Sequence, residues 1–296
     1  MSIRSVFGCL FLLAIGTANA AEKYDLKTST PDEVGQKRRI VKSESMRATN
    51  VLLDENEKEI ESDKKTTENV SDYVETVLAE RNKKMTKSSR KYAKAVKKSD
   101  DEAQELELDG KTVICDKQNG MYEFSLEGGG KLSNAAIDLL QDEFKNKDDE
   151  DEIEKLFLPT NAVAVGETWK CDVKQIAKRL LKDAESDSLD VAKATSSGTL
   201  RKVYAKDGNT FGVIDITLEI PVLAIGEAGD MVKADAGSKM TMKFVLDVCI
   251  DGKATIGTMT ATIDAKITGK IKLGDQTVTI KTTAHIEAKE THEPVK

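Results

Sequence analysis

Residues 260–273 read TATIDAKITGKIKL, and this stretch decides the fold class. Its apolar positions are Ala261, Ile263, Ala265 and Ile267, and the polar positions between them are Thr262, Asp264, Lys266 and Thr268. Such alternation places an apolar face and a polar face on one strand, which is typical of an antiparallel sheet with water on one side. The stretch therefore predicts a strand.

The same pattern extends over residues 185–296, which we predict to be a C-terminal antiparallel β region. Strands are predicted at 196–206, 211–224, 239–250, 254–268 and 271–290. The intervening turn signals are Asp207-Gly208, Gly226 to Gly229, Asp251-Gly252 and Gly274-Asp275. Strands of this length predict a twisted or curled sheet.

Residues 37–132 are predicted to be an N-terminal β-rich region. Asp109-Gly110 and Asn119-Gly120 lie between β-prone runs and are hairpin signals. The stretch 70–95 is open to two interpretations. Its apolar residues Val70, Tyr73, Val74, Val77 and Leu78 have helical spacing. Periodicity alone favours the helix, although Val70, Val74 and Leu78 also fit the alternation of a strand.

Residues 133–184 are predicted to be a helical segment. Ser133 is a suitable N-cap, and Ile137, Leu140 and Phe144 follow it on one helical face. The loop LPTNAVAVGETW, residues 158–169, ends at Trp169, the only tryptophan of the chain. We expect Trp169 to be a core anchor because of its large buried area. The alternative is an aromatic that contacts a ligand.

The N-terminus has the features of a signal peptide covering residues 1–20. Arg4 precedes a short apolar core at 6–15, and Ala18-Asn19-Ala20 is a cleavage site. The core is too short for a transmembrane helix, and the mature chain has no predicted transmembrane segment. Cys9 precedes most of the core, which argues against a lipid anchor. The protein is therefore predicted to be exported, to a periplasmic or extracellular space. Residues 21–36 are polar and aperiodic and are predicted to form a flexible leader.

Composition argues against several classes of partner. Removing residues 1–20 takes away one basic residue and leaves 44 basic and 52 acidic residues, a net charge of −8. Nucleic-acid binding requires a basic face, so we expect no nucleic-acid partner. Aromatic residues make up only 4% of the chain, which is few for base stacking.

The mature chain retains three cysteines, Cys115, Cys171 and Cys249. An odd number allows at most one intramolecular disulfide. Cys115 and Cys249 lie in apolar strand-like runs, so we expect buried free thiols rather than a bridge. The pairing remains open at this stage.

No motif in the chain indicates catalysis, a cofactor or a metal. The two histidines, His285 and His292, are an odd number of residues apart, which places them on opposite faces of a strand. The acidic run 148–152 lacks the glycine of a calcium loop, and the glycines at 128–130 do not have phosphate-loop spacing. We therefore predict no catalytic, cofactor-binding or metal-binding residues and expect that the protein is not an enzyme.

The chain resembles a group of uncharacterised exported bacterial proteins of the planctomycete type. The resemblance lies in an LP…VxVGExW segment at 158–169 and in the runs 73–78, 90–95 and 108–113. It covers most of the mature chain through short, degenerate motifs. The resemblance implies that 70–95 is a β-hairpin, and we follow it there. It supplies no catalytic residues.

Together these features predict an α+β fold dominated by an antiparallel β meander, curled into a half-barrel around a central helical segment. Residues 37–296 are expected to form one domain. The predicted function is that of a non-enzymatic envelope protein that binds an apolar small molecule, a lipid, or another envelope protein. The alternative is a structural or surface-interaction protein without a small ligand. An apolar cavity of a few hundred Å³ on the concave face would favour the first of these.

Overall fold

The structure is a computed structural model, and it describes residues 21–100, 102–104, 106–145, 155–180, 188–225, 231–273 and 276–295. Residues 1–20, predicted to be a signal peptide, lie outside the described residues, as do the acidic run at 148–152 and the turns predicted at 226–229 and 274–275. Within the described ranges, no helix is both long enough and apolar enough to cross a bilayer.

The strands and helices follow one another in three groups. The first group is β1 (Lys23–Tyr24), β2 (Lys37–Leu53), β3 (Glu59–Arg81), β4 (Lys84–Ser99), β5 (Glu102–Gln104), β6 (Thr112–Gln118) and β7 (Met121–Leu126). The second is α1 (Asn134–Phe144), β8 (Val163–Ala164), β9 (Thr168–Trp169) and α2 (Val173–Leu180). The third is β10 (Thr195–Lys206), β11 (Asn209–Pro221), β12 (Ala224–Ile225), β13 (Val232–Lys233), β14 (Lys239–Cys249), β15 (Gly257–Leu273) and β16 (Gln276–Pro294).

Twelve of these strands form one antiparallel sheet in the order β7-β6-β4-β3-β2-β16-β15-β14-β11-β10-β9, with β5 paired to β4. The N-terminal and the C-terminal strands each form a meander. The two meanders meet where β16 pairs with β2, from Pro294 opposite Arg38 to Thr279 opposite Leu53. The sheet is not closed, and the predicted α+β fold with a dominant antiparallel meander is confirmed.

Two of the turn signals identify hairpins correctly, whereas Asp109-Gly110 forms a turn between β5 and β6, which both pair with β4 and not with each other. Asn119 and Gly120 both have positive φ, 52° and 87°, as a tight turn between β6 and β7 requires. Asp207 and Gly208 do the same between β10 and β11, with φ of 50° and 78°. Ser133 also caps α1 as predicted, because its side chain accepts a hydrogen bond from the Ala136 N–H.

The stretch 70–95 is a hairpin, as the resemblance implies, and the helix favoured by periodicity is wrong. Strand β3 buries Ser71, Tyr73, Glu75 and Val77, every second residue, while Leu78 is 40% exposed. The buried set includes a serine and a glutamate, which a search for apolar spacing does not count. The turn to β4 consists of Asn82 and Lys83, both with positive φ.

The sheet carries two apolar clusters, one on each meander. The N-terminal cluster packs α1 onto β3, β4 and β6, with Leu140, Tyr73 and Val113 fully buried. The C-terminal cluster packs α2 and Leu26 onto β10, β11 and β14.

Residues 21–36 are packed against the sheet, so the prediction of a flexible leader is wrong. Strand β1 pairs with β8, and Leu26 and Thr28 are buried. Lys27 N–H donates to the carbonyl of Ile250 (2.9 Å). Further on, Gly35 N–H donates to the carbonyl of Val77 (2.9 Å). We refer to residues 27–36 as the strap, because they cross from the end of β14 to the β3–β4 hairpin. The polar sequence was misleading because the strap is held mainly by backbone hydrogen bonds, which any residue type can make.

Candidate ligand cavity

A cavity of about 690 Å³ lies on the concave face of the sheet, between the two apolar clusters. Its walls include Tyr122 of β7 and Ile216 of β11. These strands are eight places apart in the sheet, about 38 Å if the sheet were flat, at about 4.8 Å per strand. One cavity can touch both strands only because the sheet curls around it.

The floor of the cavity is a row of residues from five adjacent strands. Tyr73 pairs with Ile40, Ile40 with His292, His292 with Gly257, and Gly257 with Val248. All five line the cavity. Gly257 has φ of +140°, and a Cβ there would lie 2.4 Å from the carbonyl oxygen of Asp247. Glycine is therefore required at this position of the floor by the close approach of the β14 backbone.

A second row of residues runs parallel to the first, and its side chains change from charged to apolar across the sheet. Lys42 pairs with Glu290, Glu290 with Met259, and Met259 with Leu246. The row is charged on β2 and β16 and apolar on β15 and β14. Phe244 and Val248 extend the apolar part along β14, and these side chains are only half-buried. The cavity thus has one apolar wall that water can reach and one polar wall.

The strap forms one side of the cavity, and residues 28–32 contribute to the lining. Thr30 joins it to the C-terminal meander, since its hydroxyl lies 2.8 Å from that of Thr255. Asp32 joins it to the N-terminal meander, because its carboxylate accepts a hydrogen bond from the Met85 N–H (2.9 Å). The strap therefore borders the cavity and bridges two separate parts of the sheet.

Behind the polar wall lies a buried network of charges. The Glu75 carboxylate, with no exposed surface, accepts hydrogen bonds from Arg38 Nη2 (2.6 Å) and Nε (2.9 Å). Its other oxygen accepts from Arg90 Nε at 3.0 Å. Arg90, 2% exposed, also donates to Glu143 on α1. This network fastens the helix to the sheet, since charges removed from water must be paired.

Aromatic rings enclose the Arg90 guanidinium. Its central carbon lies 4.5 Å from the Tyr73 ring centre and 4.3 Å from that of Phe144. Burial opposes the charge of Arg90, yet the pKa of Arg90 is raised well above its ordinary value by the negative charge around it, including Glu143 and Glu75. Burial also raises the pKa of Tyr73 well above its ordinary value. Tyr73 therefore keeps its proton at neutral pH.

Two polar atoms in residues that line the cavity are buried without a hydrogen-bond partner. They are the hydroxyl oxygen of Tyr73 and Nδ1 of His292. The other nitrogen of His292, Nε2, lies 2.5 Å from Glu290 Oε1. Buried polar atoms are rarely left unpaired, and such atoms at a cavity point to a missing partner. No sequence signal identified these residues, because their positions depend on pairing between β3, β2 and β16.

Trp169 lies outside the cavity lining, on the short edge strand β9. Its ring packs against the C-terminal apolar cluster, and Nε1 donates to the carbonyl of Phe157 (2.8 Å). It faces Gly198 across the strands, where a Cβ would lie 2.2 Å from the indole. This placement is that of a packing residue at the edge of the sheet, whereas the candidate ligand residues lie elsewhere.

The three cysteines of the described residues are buried and free, as expected. Burial raises the pKa of Cys115 and that of Cys171 to about 11. Thiols with such pKa values are poor nucleophiles at neutral pH.

The two histidines lie in β16 at an odd separation, so they face opposite sides of the sheet. His285 Nδ1 lies 2.7 Å from Asp264, and Nε2 lies 3.2 Å from Glu287. Hydrogen bonds to Asp264 and Glu287 raise the pKa of His285 above its ordinary value. In the part of the chain that the structure describes, no group of three or more His, Cys, Asp or Glu residues is placed to hold a metal ion.

Comparison with known proteins finds a similar solved structure, one of lipovitellin that is described by its lipid–protein interactions. Sequence identity is 7% and the TM-score is 0.35. The match covers 89% of this chain and 26% of that chain, so this chain spans about a quarter of its length. No protein-family model and no curated protein matches the chain. At this TM-score the similarity supports no conclusion about function.

Proposed function

We propose that the protein is an exported, non-enzymatic protein that binds a small molecule with an apolar body in the cavity beside the strap. The observation that carries this proposal is the half-buried apolar wall of Phe244, Leu246 and Val248. A volume of about 690 Å³ lies within the range of ligand sites, about 300–1,000 Å³. A ligand would remove that wall from water, and each Å² of apolar surface so buried contributes about 25 cal/mol.

The construction of the cavity supports the same conclusion. A sheet that only served as a scaffold would gain stability by filling the space between its two apolar clusters. Here the space is left open, and the strap lines one side of it with polar residues and is held by backbone hydrogen bonds. A segment held in this way can be displaced and replaced as a ligand enters and leaves.

Binding is tested with the neutral fluorescent amphiphile N-phenyl-1-naphthylamine, whose emission rises in apolar surroundings. We expect saturable binding to the delipidated full chain from residue 21 onward. The variant Leu246→Trp fills the cavity from its apolar wall and is expected to abolish the saturable signal. Val245→Trp is the matched control, because Val245 is the neighbour of Leu246 on β14 and is 43% exposed on the other face.

The outcome separates the two functions predicted from the sequence. If the wild-type protein and Leu246→Trp give the same signal, the probe binds elsewhere and the cavity is not a ligand site. The structural or surface-interaction alternative then stands. Native mass spectrometry of protein purified from its own cells adds an independent readout, since a bound natural ligand appears as a defined mass increment.

Export is a separate part of the proposal and rests on residues 1–20. Two measurements on the producing cells test it: the N-terminal residue of the mature protein and its distribution between compartments. We expect the chain to begin at Ala21, three residues before the end of β1. Cleavage there would leave β1 free to pair with β8. A full-length chain that stays in the cytoplasm would refute this part and leave the cavity proposal untouched.

A further inference from the structure

The charges that line the cavity are unequal in number and lie at one end. Four lining residues are basic and two are acidic; Lys42 pairs with Glu290 at 3.3 Å and Arg38 lies 3.7 Å from Asp32, so Lys83 and Lys84 supply the excess of positive charge. The basic residues are Arg38, Lys42, Lys83 and Lys84, and the acidic ones are Asp32 and Glu290. All six belong to the strap, to β2, to β16, to the β3–β4 turn or to the first residue of β4. None belongs to the apolar wall on β14.

Arg38 retains hydrogen-bonding capacity at this end. Its Nε and Nη2 groups bind Glu75. Its Nη1 group lies 3.7 Å from Asp32 Oδ1, which is beyond direct hydrogen-bond distance. The side chain is only 11% exposed and lines the cavity, and its hydrogen bonds to Glu75 hold the guanidinium in place. A fixed, partly unsatisfied guanidinium suits recognition of a carboxylate or phosphate.

The hydroxyl of Tyr73, a fully buried residue of the cavity lining, is a second donor and has no hydrogen-bond partner. Tyr73 lies on β3 directly opposite Ile40, two residues along β2 from Arg38. The hydroxyl keeps its proton, as shown above, and an oxygen of an anion is a suitable acceptor for it. A ligand oxygen there would satisfy a group that the protein leaves without a partner.

The β3–β4 turn adds positive charge at the rim. Lys83 has φ of +64°, a backbone conformation that residues other than glycine adopt mainly in tight turns. The turn is held in place by the strap, since Asp32 N–H donates to the carbonyl of Lys83 (3.2 Å). Lys83 is exposed at its tip and can approach a headgroup without desolvation.

We propose that the ligand is an amphiphile with an anionic headgroup, a carboxylate or a phosphate, on a long acyl or alkyl chain. The headgroup binds Arg38 Nη1 and the Tyr73 hydroxyl, with Lys83 at the rim. The chain crosses the floor past Gly257 and lies along the apolar wall of β14. This inference rests on the proposed function and specifies the chemistry of its ligand.

The test is displacement of N-phenyl-1-naphthylamine by four ligands that share one chain: oleate, oleyl phosphate, oleyl alcohol and oleylamine. We expect an anion to bind at least about tenfold more tightly than the alcohol, and the amine to bind no better than the alcohol. The ratio of the affinities for oleate and oleyl phosphate shows whether the site prefers a carboxylate or a phosphate. Added salt should reduce the preference for the anions.

Variants of Lys83 and Tyr73 test whether these residues cause the preference for anionic ligands. Lys83→Gln removes one charge from the exposed turn without touching the buried network, and we expect it to reduce the anion-to-alcohol ratio about threefold. Tyr73→Phe removes only the unpartnered hydroxyl, and it should lower affinity for the anions while leaving the alcohol less affected. Lys65→Gln, on the exposed outer part of β3, is the control and should change nothing.

The outcomes keep this inference apart from the proposed function. Equal affinity for all four ligands, or a preference for the amine, overturns the anionic headgroup and leaves apolar binding standing. An anion preference that survives both Lys83→Gln and Tyr73→Phe places the headgroup elsewhere and also overturns it. Failure of the probe itself to bind refutes the proposed function, and the inference falls with it.

Discussion

Replacing Glu75 by glutamine removes the charge at the centre of the buried network with little change in shape. Glu75 joins two arginines, Arg38 from β2 and Arg90 from β4, through hydrogen bonds of 2.6–3.0 Å. After the substitution, Arg90 keeps Glu143 as its carboxylate partner. Arg38 keeps only Asp32, at 3.7 Å. One buried positive charge is then largely uncompensated.

The expected loss of stability follows from this geometry. Breaking a buried ion pair from one side costs about 3–5 kcal/mol, because the remaining charge stays out of water. At about 2–4 °C per kcal/mol for a domain of this size class, the melting temperature should fall by roughly 6–20 °C. The partners are 11% and 2% exposed, so solvent cannot replace the lost carboxylate without opening the packing of α1.

Thermal unfolding followed by far-ultraviolet circular dichroism measures this loss. The matched control is Glu68→Gln, also on β3, whose carboxylate pairs with Lys98 at 2.9 Å while both side chains are nearly half exposed. Surface ion pairs contribute little, so this variant should melt with the wild type. If Glu75→Gln also melts within about 2 °C of Glu68→Gln, the network carries no net stabilisation and the reasoning is refuted.

Three further predictions concern other parts of the molecule. Gly198→Ala should lower the free energy of unfolding by about 1–3 kcal/mol, because the new Cβ meets Trp169. The loss should be smaller in a Trp169→Phe background. Equal losses in both backgrounds would contradict this explanation. The pKa of His285 is higher in the folded chain than in the unfolded chain, where it is about 6.5. His285 therefore stabilises the folded state fully below the unfolded pKa, and this contribution is lost as the pH rises through the folded pKa. The difference in melting temperature between wild type and His285→Gln should therefore be larger near about pH 5.5 than near about pH 9, and a constant difference would exclude an ionic contribution from Asp264. The three buried cysteines should react with a thiol reagent slowly in the native chain and completely after unfolding without reductant; a single reactive thiol after unfolding would reveal a disulfide.

Local signals in the sequence predicted much of the fold. Asn119-Gly120 and Asp207-Gly208 define tight hairpins because both residues of each pair adopt positive φ. Ser133 marks the start of α1, because its side chain satisfies a backbone N–H at the helix terminus. In each case the determining interaction lies within a few residues of the signal.

The failures of prediction have a common physical cause. Glu75 and Ser71 are buried on β3, so counting apolar residues alone favoured a helix. Glu75 can be buried only because Arg38 and Arg90 come from neighbouring strands. The strap was predicted to be flexible because its hydrogen-bond partners lie far away in sequence, with Thr30 bonded to Thr255.

Strand alternation, turns and helix caps were thus determined by the sequence itself, as the stretch 260–273 shows, and export stays a prediction from residues 1–20. The pairing of β16 with β2 was decided only in the tertiary structure. It brings His292 beside Ile40, although 252 positions separate them in the chain. The cavity, its apolar and basic walls and its unpartnered polar atoms all depend on that pairing. Local patterns specify which face of a strand is apolar, whereas the choice of neighbouring strands depends on burial summed over the whole sheet.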